Sequence, residues 1–455
     1  MNTFHHIRRV TISAQLASGL LFASAIANAA ETTLPSPARS ASIEADTMRH
    51  QHDLVSSAAD SGAPLTMQDV IRLALTNQPM LAARQASIDA AEQQAISAAQ
   101  LPDPKLIAGV KDLPVDTSSA YSVRDDNFTM FSVGLAQDFP RADKLRLKGQ
   151  RKHLEADMDR FGLANEQRVI AREAALAWLD IYEAEQALVL TRRLGAESVL
   201  QIKSLENAYQ NGHASQADWL AAKVEAGLVA DKEADWQHHG ERMRAGLSRW
   251  IGGDARRPLA DDLSAVPPPP PLPALIAAVD RHPAVSGLQK QIEVSDTDVG
   301  LAKQAYKSDF SIEGYFGYRP AYADFAGVQV TMDLPFFGAN RQDRELSAAL
   351  RQSDAAQDRK ADLLRDLHSQ VIQNYIDWHH ARERAEAFDN GIIPDAQRRV
   401  AAARSAYGAG RGNFDAVISA KRSLLDTQLQ RLALAVESTR AQVRVEYFAA
   451  QGALQ

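Results

Sequence analysis

The chain of 455 residues contains no cysteine. That absence excludes disulfides, thiol nucleophiles, Cys-ligated zinc, iron–sulfur clusters and a thioether lipid anchor. Aromatic residues are scarce, at 6%, although a chain this long would ordinarily hold about two to four globular domains with thick cores. Beyond the N-terminal segment no uninterrupted apolar run reaches the ~18 residues of a helical membrane span. Catalytic signatures are missing too. His239 is followed by Gly-Glu, and His379 and His380 sit near Arg382 and Glu383, but neither gives H-E-x-x-H, and no nucleophile elbow, dinucleotide fingerprint or P-loop occurs. These observations predict neither an enzyme nor a cofactor or metal site. With 57 acidic against 50 basic residues the net charge is -7, which argues against a nucleic-acid partner.

What is present begins with Arg8-Arg9, an apolar stretch over 10–23 and the small residues Ala27-Asn28-Ala29. This order predicts a cleaved secretory signal peptide over 1–29, rather than a retained amphipathic helix. Without a cysteine to acylate, the product is expected not to be lipidated. Residues 30–63 are rich in Ser, Pro and Ala and read as a flexible arm. Met48, His50, His52 and Asp53 lie within it, where a solvated tail is favoured over a weak soft-metal site.

From Leu65 one plan runs twice. The landmarks are an x-Pro break (Pro79 and Pro283), Gln137-Asp-Phe-Pro140 answered by Met332-Asp-Leu-Pro335, and Trp178-Leu-Asp-Ile-Tyr182 answered by Tyr375-Ile-Asp-Trp378. The last pair is a Tyr-x-x-Gly turn, Tyr209/Gly212 and Tyr407/Gly410. Their constant order marks an internal repeat. The first copy is expected over 64–260 and the second over 274–450, joined by a proline-rich connector over 261–273 and followed by a tail over 451–455. Ile170, Ala174, Ala177, Ile181, Ala184 and Leu188 recur at heptad-like spacing, as do Leu425, Leu429, Leu432, Val436 and Val443. The proline-free stretch 144–210 predicts helix about 90 Å long at 1.5 Å per residue. Small alanines at close helix seams account for the low aromatic content.

Two short stretches in each copy follow a period of two: about 105–113 and 127–139, then about 309–319 and 326–334. In the second copy Phe310, Ile312, Gly314, Phe316 and Tyr318 alternate with Ser311, Glu313, Tyr315, Gly317 and Arg319. Such alternation fits a membrane strand, apolar out and polar in, but also a hairpin capping a bundle in water. Four strands cannot close a barrel in lipid, and open edges would leave backbone groups unpaired there. If the strands span, several copies of the chain must contribute to one tube.

In the order of these landmarks the sequence resembles the TolC-like outer membrane efflux channel family. The resemblance rests on Leu65-Thr66, Ala74-Leu75, Asn77-x-Pro79, Leu101-Pro102-Asp103-Pro104 and the two Tyr-x-x-Gly turns with Asp218, Lys223 and Lys421. It implies a mixed α/β membrane protein: a homotrimer whose twelve strands, four per chain, form an outer membrane β-barrel in contact with outer membrane lipid. Below it would run an antiparallel α-helical coiled-coil barrel through the periplasm, meeting a periplasmic adaptor and an inner membrane RND-type transporter. Segments 137–147 and 333–343 are similar to those of heavy-metal cation exporters, which implies passive export of such cations. A drug-efflux or type I secretion channel is the alternative, and a periplasmic coiled-coil adaptor or structural protein a more distant one. The family narrows its tunnel just after the helix–helix turns. By that resemblance Asp218 and Asp415 are candidate gate or pore-lining residues, although Ala416 and Ser419 stand where further carboxylates are expected. A solvated helix start is an equally good account of both acids. Tyr209, Gly212, Tyr407, Gly410 and Arg411 mark the hairpin turns and candidate adaptor contacts.

Overall fold

The structure, a computed structural model, describes residues 63–449 except 117, 119, 262 and 264–266. The signal peptide expected over 1–29, the arm up to residue 62 and the tail 451–455 lie outside the described residues. Element order runs helix, helix, strand, strand, long helix, helix, and then repeats. The first pass comprises α1 (Met67–Asn77), α2 (Pro79–Ala98), β1 (Lys105–Lys111), β2 (Met130–Phe139), α3 (Ala142–Gln210) and α4 (Gln216–Ile251). The second comprises α5 (Leu272–Val279), α6 (Pro283–Gln304), β3 (Phe310–Tyr318), β4 (Phe325–Met332), α7 (Gln342–Ala387), α8 (Ile393–Gly408) and α9 (Phe414–Glu446). No described helix is long and apolar enough to cross a membrane.

Local chemistry sets the boundaries. Thr66 caps α1 in a reciprocal capping box with Asp69. Proline at the first position of α2 and α6 starts each helix where its missing N–H costs nothing. α3 runs unbroken for 69 residues, about 104 Å at 1.5 Å per residue. Its counterpart in the second copy is interrupted by a π-turn over Phe388–Ile392. Pro394 cannot donate to the carbonyl four residues back, and the Ile393 amide bonds Phe388 five residues back instead. β1 ends and β2 begins two to three residues inside the stretches read from alternation. Asp112 takes a positive φ of 57° and ends β1. Asp126 accepts from the Phe128 and Thr129 amides at 3.0 and 2.8 Å, holding that turn off the ladder until Met130.

The apolar core lies partway along the helices. Leu65, Val70, Ile71, Ala74, Ile170, Ala174, Trp178, Leu179, Ile181, Leu247 and Val443 are buried together. Trp178 donates its indole N–H to the Leu65 carbonyl at 3.0 Å, and Leu65 forms a bridge with Leu259 that ties the two ends of the first copy. Burial on α3 is broader here than the heptad stripe foretold, because α1, α4 and α9 surround it and enclose Ala175, Trp178 and Leu179 as well. A second cluster gathers Leu275, Val279, Val285, Leu367, Val371, Val445 and Phe448.

Candidate functional site: an inverted sheet and two hairpin ends

The strands form one antiparallel sheet in the order β1-β2-β3-β4. The two hairpins join through β2 and β3, with Val133 opposite Phe316 and Asp138 opposite Ser311. On the central strands exposure alternates opposite to that of a water-soluble sheet. Phe131, Val133 and Leu135 of β2 and Phe310, Ile312, Phe316 and Tyr318 of β3 are exposed, while Ser132 is buried and Ser311 and Glu313 are partly covered. Val328, Val330 and Met332 extend the apolar face across β4, with Val328 at 77% exposure. The opposite face carries charge that is internally paired. Lys105 lies 2.7 Å from Asp138, and Lys111 lies 3.8 Å from Glu313 and 4.0 Å from the centre of the Tyr315 ring. Glycine makes room on this face: a Cβ on Gly327 would stand 2.5 Å from the Tyr315 ring. β1 and β4 remain edges within one chain.

Where sheet meets helices, Asp309 accepts from the Arg141 amide at 3.1 Å and from Lys144, while Arg141 Nε donates to the Ser308 carbonyl at 3.0 Å. The start of α3 in the first copy is thus fastened to the start of β3 in the second.

At the far end, two helical hairpins turn side by side. Gly212 (φ 74°) and Gly410 (φ 70°) occupy the left-handed conformation that other residues avoid. The His213 amide bonds Ala208 at 2.8 Å and the Arg411 amide bonds Ala406 at 2.9 Å, closing equivalent turns. Tyr209 stacks on Trp219 with ring centres 6.1 Å apart, and Tyr407 packs against Phe414 at 5.5 Å. Phe414, Val417, Leu205 and Ala222 knit the two hairpins together. Burial, and then the nearby charge of Asp218, raise the pKa of the Tyr407 phenol.

Asp218 is the third residue of α4 and shares a capping box with Ser215: its amide donates to Ser215 Oγ at 3.0 Å and its carboxylate accepts from the Ser215 amide at 3.4 Å. Asp415 is exposed in the first turn of α9, where Asn413 supplies the cap by accepting from the Ala416 amide at 3.0 Å. Arg411 is exposed beside Gly410. Lys223 lies over the Trp219 ring at 4.8 Å, and Lys421 reaches Gln201 and Glu197 at 3.0 and 3.3 Å. The roles of Trp219 and Phe414 were not legible in the sequence, since only the fold brings the two hairpins together. The Trp219 indole N–H is buried without a hydrogen-bond partner among the described residues. Among those residues, no three of His, Asp or Glu converge to hold a metal ion.

Comparison with known proteins adds sequence and fold. Residues 277–450 match the family model described as Outer membrane efflux protein. The cobalt-zinc-cadmium resistance protein CzcC of Cupriavidus metallidurans is 20% identical over 395 residues, covering 85% of this chain and 90% of that one. CusC, solved in connection with folding and transmembrane channel formation, superposes with a TM-score of 0.73 at 14% identity, over 85% of this chain and 92% of that one. The fold is that of the TolC-like outer membrane efflux channels. The outer membrane protein VceC of Vibrio cholerae shares it, with a TM-score of 0.71, 16% identity, and 85% and 96% of the two chains covered. A TolC-like fold explains both the long helical bundle and the small sheet.

Proposed function

We propose that this chain is the outer membrane exit duct of a tripartite efflux system and passively conducts heavy-metal cations outward. The observation that carries the reading is the inverted sheet, which turns apolar side chains to the surroundings and charged ones to the opposite face. A sheet with one exposed apolar face calls for an apolar solvent, and lipid is that solvent. Open edges are not tolerated in hydrocarbon, so the four strands require further copies. Three chains would close a twelve-stranded barrel, above the smallest known barrels of about eight strands. The helical bundle then continues the tube through the periplasm toward an adaptor and an RND-type pump, the source of energy.

The likeness to CzcC favours cobalt, zinc or cadmium as cargo. A conduit wall with no convergent metal site among the described residues suits cations that must leave as readily as they enter. Asp218 and Asp415 stand at the hairpin ends, where rings of carboxylate would attract cations, and Tyr209, Gly212, Tyr407, Gly410 and Arg411 form the surface offered to the adaptor. Deleting the gene is expected to sensitise cells to cobalt, zinc or cadmium, with drug tolerance unchanged. Unchanged metal tolerance together with lost drug tolerance would overturn the cargo assignment and leave the duct standing.

A further inference from the structure

The two copies of the repeat part company where sheet gives way to helix. Asp138-Phe-Pro140 answers Asp333-Leu-Pro335, and Arg141-x-Asp143-Lys144 answers Arg341-x-Asp343-Arg344. In the first copy the two motifs adjoin; in the second, residues 336–340, Phe-Phe-Gly-Ala-Asn, stand between them. Helix packing keeps the same alignment, since Gly149 and Ala156 of α3 are buried and so are their counterparts Ala349 and Ala356 of α7. The extra segment is therefore an insertion at the junction. It carries Phe337 at 87% exposure and Phe336 at 76%, although phenylalanine is normally buried. Local bonds hold the segment in place: the Phe336 amide donates to the Leu334 carbonyl at 2.9 Å, and the Arg341 amide to the Gly338 carbonyl at 3.2 Å. Along the chain the two rings continue the exposed apolar run of Val330, Met332 and Leu334 toward the helices.

The basic residues that follow differ between the copies as well. Arg141 and Lys144 are engaged within the chain, by the Ser308 carbonyl and by Asp309. Arg341 and Arg344 are exposed and have no ion-pair partner among the described residues. Arg341 immediately precedes α7, and Arg344 lies in its first turn. Of the acids beside them, Asp343 accepts from the Tyr306 hydroxyl at 2.5 Å, and Glu345 is exposed. Two guanidinium groups are thus set against one disengaged carboxylate. No side chain caps α7, so its first-turn amides are further donors at the same place.

We propose that residues 336–344 form a phospholipid headgroup site in the membrane leaflet next to the helical bundle. Phe336 and Phe337 enter the acyl boundary, and Arg341 and Arg344 take the phosphate of an anionic headgroup. The proposal rests on the channel reading, which sets the sheet in lipid and the bundle outside it. It adds the lipid chemistry that the chain selects, and it assigns that selection to one copy of the repeat. Phenylalanine has no hydroxyl or ring N–H to keep hydrated, so its ring can pass below the headgroups. A guanidinium fork matches phosphate oxygens two at a time. A second copy of the chain seated on this segment would cover the rings as well, but the two disengaged arginines call for anionic charge, and a headgroup brings charge and acyl chain together.

The test offers the full-length protein in detergent equal amounts of phosphatidylglycerol and phosphatidylcholine and counts retained lipid by native mass spectrometry, which also reports the size of the assembly. A basic residue beside an anionic surface is worth roughly a fivefold gain, so the two arginines are expected to enrich phosphatidylglycerol roughly 25-fold. Arg341→Gln with Arg344→Gln is expected to bring the two lipids to parity, whereas Arg341→Lys with Arg344→Lys keeps most of the preference. Arg351→Gln, farther along α7, is expected to change nothing. Phe336→Ser with Phe337→Ser is expected to lower retention of both lipids and leave their ratio alone. Equal retention by the parent chain, or a preference that survives in the double glutamine variant, overturns the site. Displacement of the lipid by inorganic phosphate reassigns the arginines to a soluble anion and overturns the leaflet contact. Serine variants that fall apart into monomers show that the rings are a contact between copies, which overturns the site and leaves the duct standing. A parent chain that is monomeric and retains neither lipid overturns the channel reading and the site with it.

Discussion

Near the end of α9 two buried side chains respond to pH with opposite sign. His282 is 1% exposed, and burial, aided by the Arg168 charge, lowers its pKa to about 4. Its geometry suits the neutral ring: Nε2 donates to the Tyr447 carbonyl at 3.1 Å while Nδ1 accepts from the Ala284 amide at 3.3 Å. Between roughly pH 6.5 and 4 the unfolded chain binds a proton that the folded imidazole refuses, so this residue costs stability as pH falls. Glu446 is 6% exposed, its Oε2 has no hydrogen-bond partner among the described residues, and burial raises its pKa to about 7. Between roughly pH 4.5 and 7 the unfolded chain has released a proton that the folded one retains, so stability is full below this window and declines through it. Glu446→Gln removes the charge that must otherwise be buried. It is expected to stabilise the protein by about 1–3 kcal/mol at pH 8 and by nothing at pH 4. Thermal unfolding followed by helical circular dichroism at the two pH values checks this; equal gains at both would point to packing instead of ionisation.

Among the elements, the hairpin ends depend on caps rather than on cores. Ser215 and Asn413 each satisfy an amide that the first turn of α4 or α9 leaves open. Ser215→Ala and Asn413→Ala are each expected to cost about 1 kcal/mol locally, read as faster hydrogen exchange in residues 216–220 or 414–418, with the distant core unaffected. Exchange that accelerates throughout the bundle would show that the ends and the core unfold together. These turns were readable because a glycine placed for left-handed backbone leaves a local signature, whereas the caps were not read. The four strands were readable in position for a similar reason, since a period of two needs no tertiary context. The π-turn was not read, although Gly391 and Pro394 mark the place, because a proline is equally consistent with a break or a kink. Arg431 fixes it by holding Asp389 with two bonds of 2.9 and 2.7 Å from the neighbouring helix, a contact that no local pattern reveals. Burial of Ala175, Trp178 and Leu179 was missed similarly: a heptad stripe describes a two-helix seam, whereas α3 is enclosed by several helices.

At the scale of the whole molecule, the proposed exit duct requires the apolar face of the sheet to meet lipid, and adjacent residues of β4 test that requirement with opposite signs. Val328 lies on the apolar face beside Gly314, and Gln329 on the polar face beside Glu313. A lysine on a lipid face costs about 2–4 kcal/mol near the bilayer midplane, whereas one in a water-filled lumen costs little. Assembly multiplies the difference, because every chain of a ring places the same charge at the same depth. Val328→Lys is therefore expected to deplete the oligomer of the proposed duct from the outer membrane fraction. Gln329→Lys is expected to leave the amount of oligomer near that of the parent chain and to alter only cation passage, since it adds positive charge to the conduit wall. The readout is oligomer abundance on unheated gels beside metal tolerance of the same cells. Were Gln329→Lys to abolish the oligomer while Val328→Lys spared it, the apolar face would point inward and the exit-duct reading would fail at its founding observation. A sheet that merely capped a helical bundle in water would tolerate both lysines, because both side chains would already be in solvent.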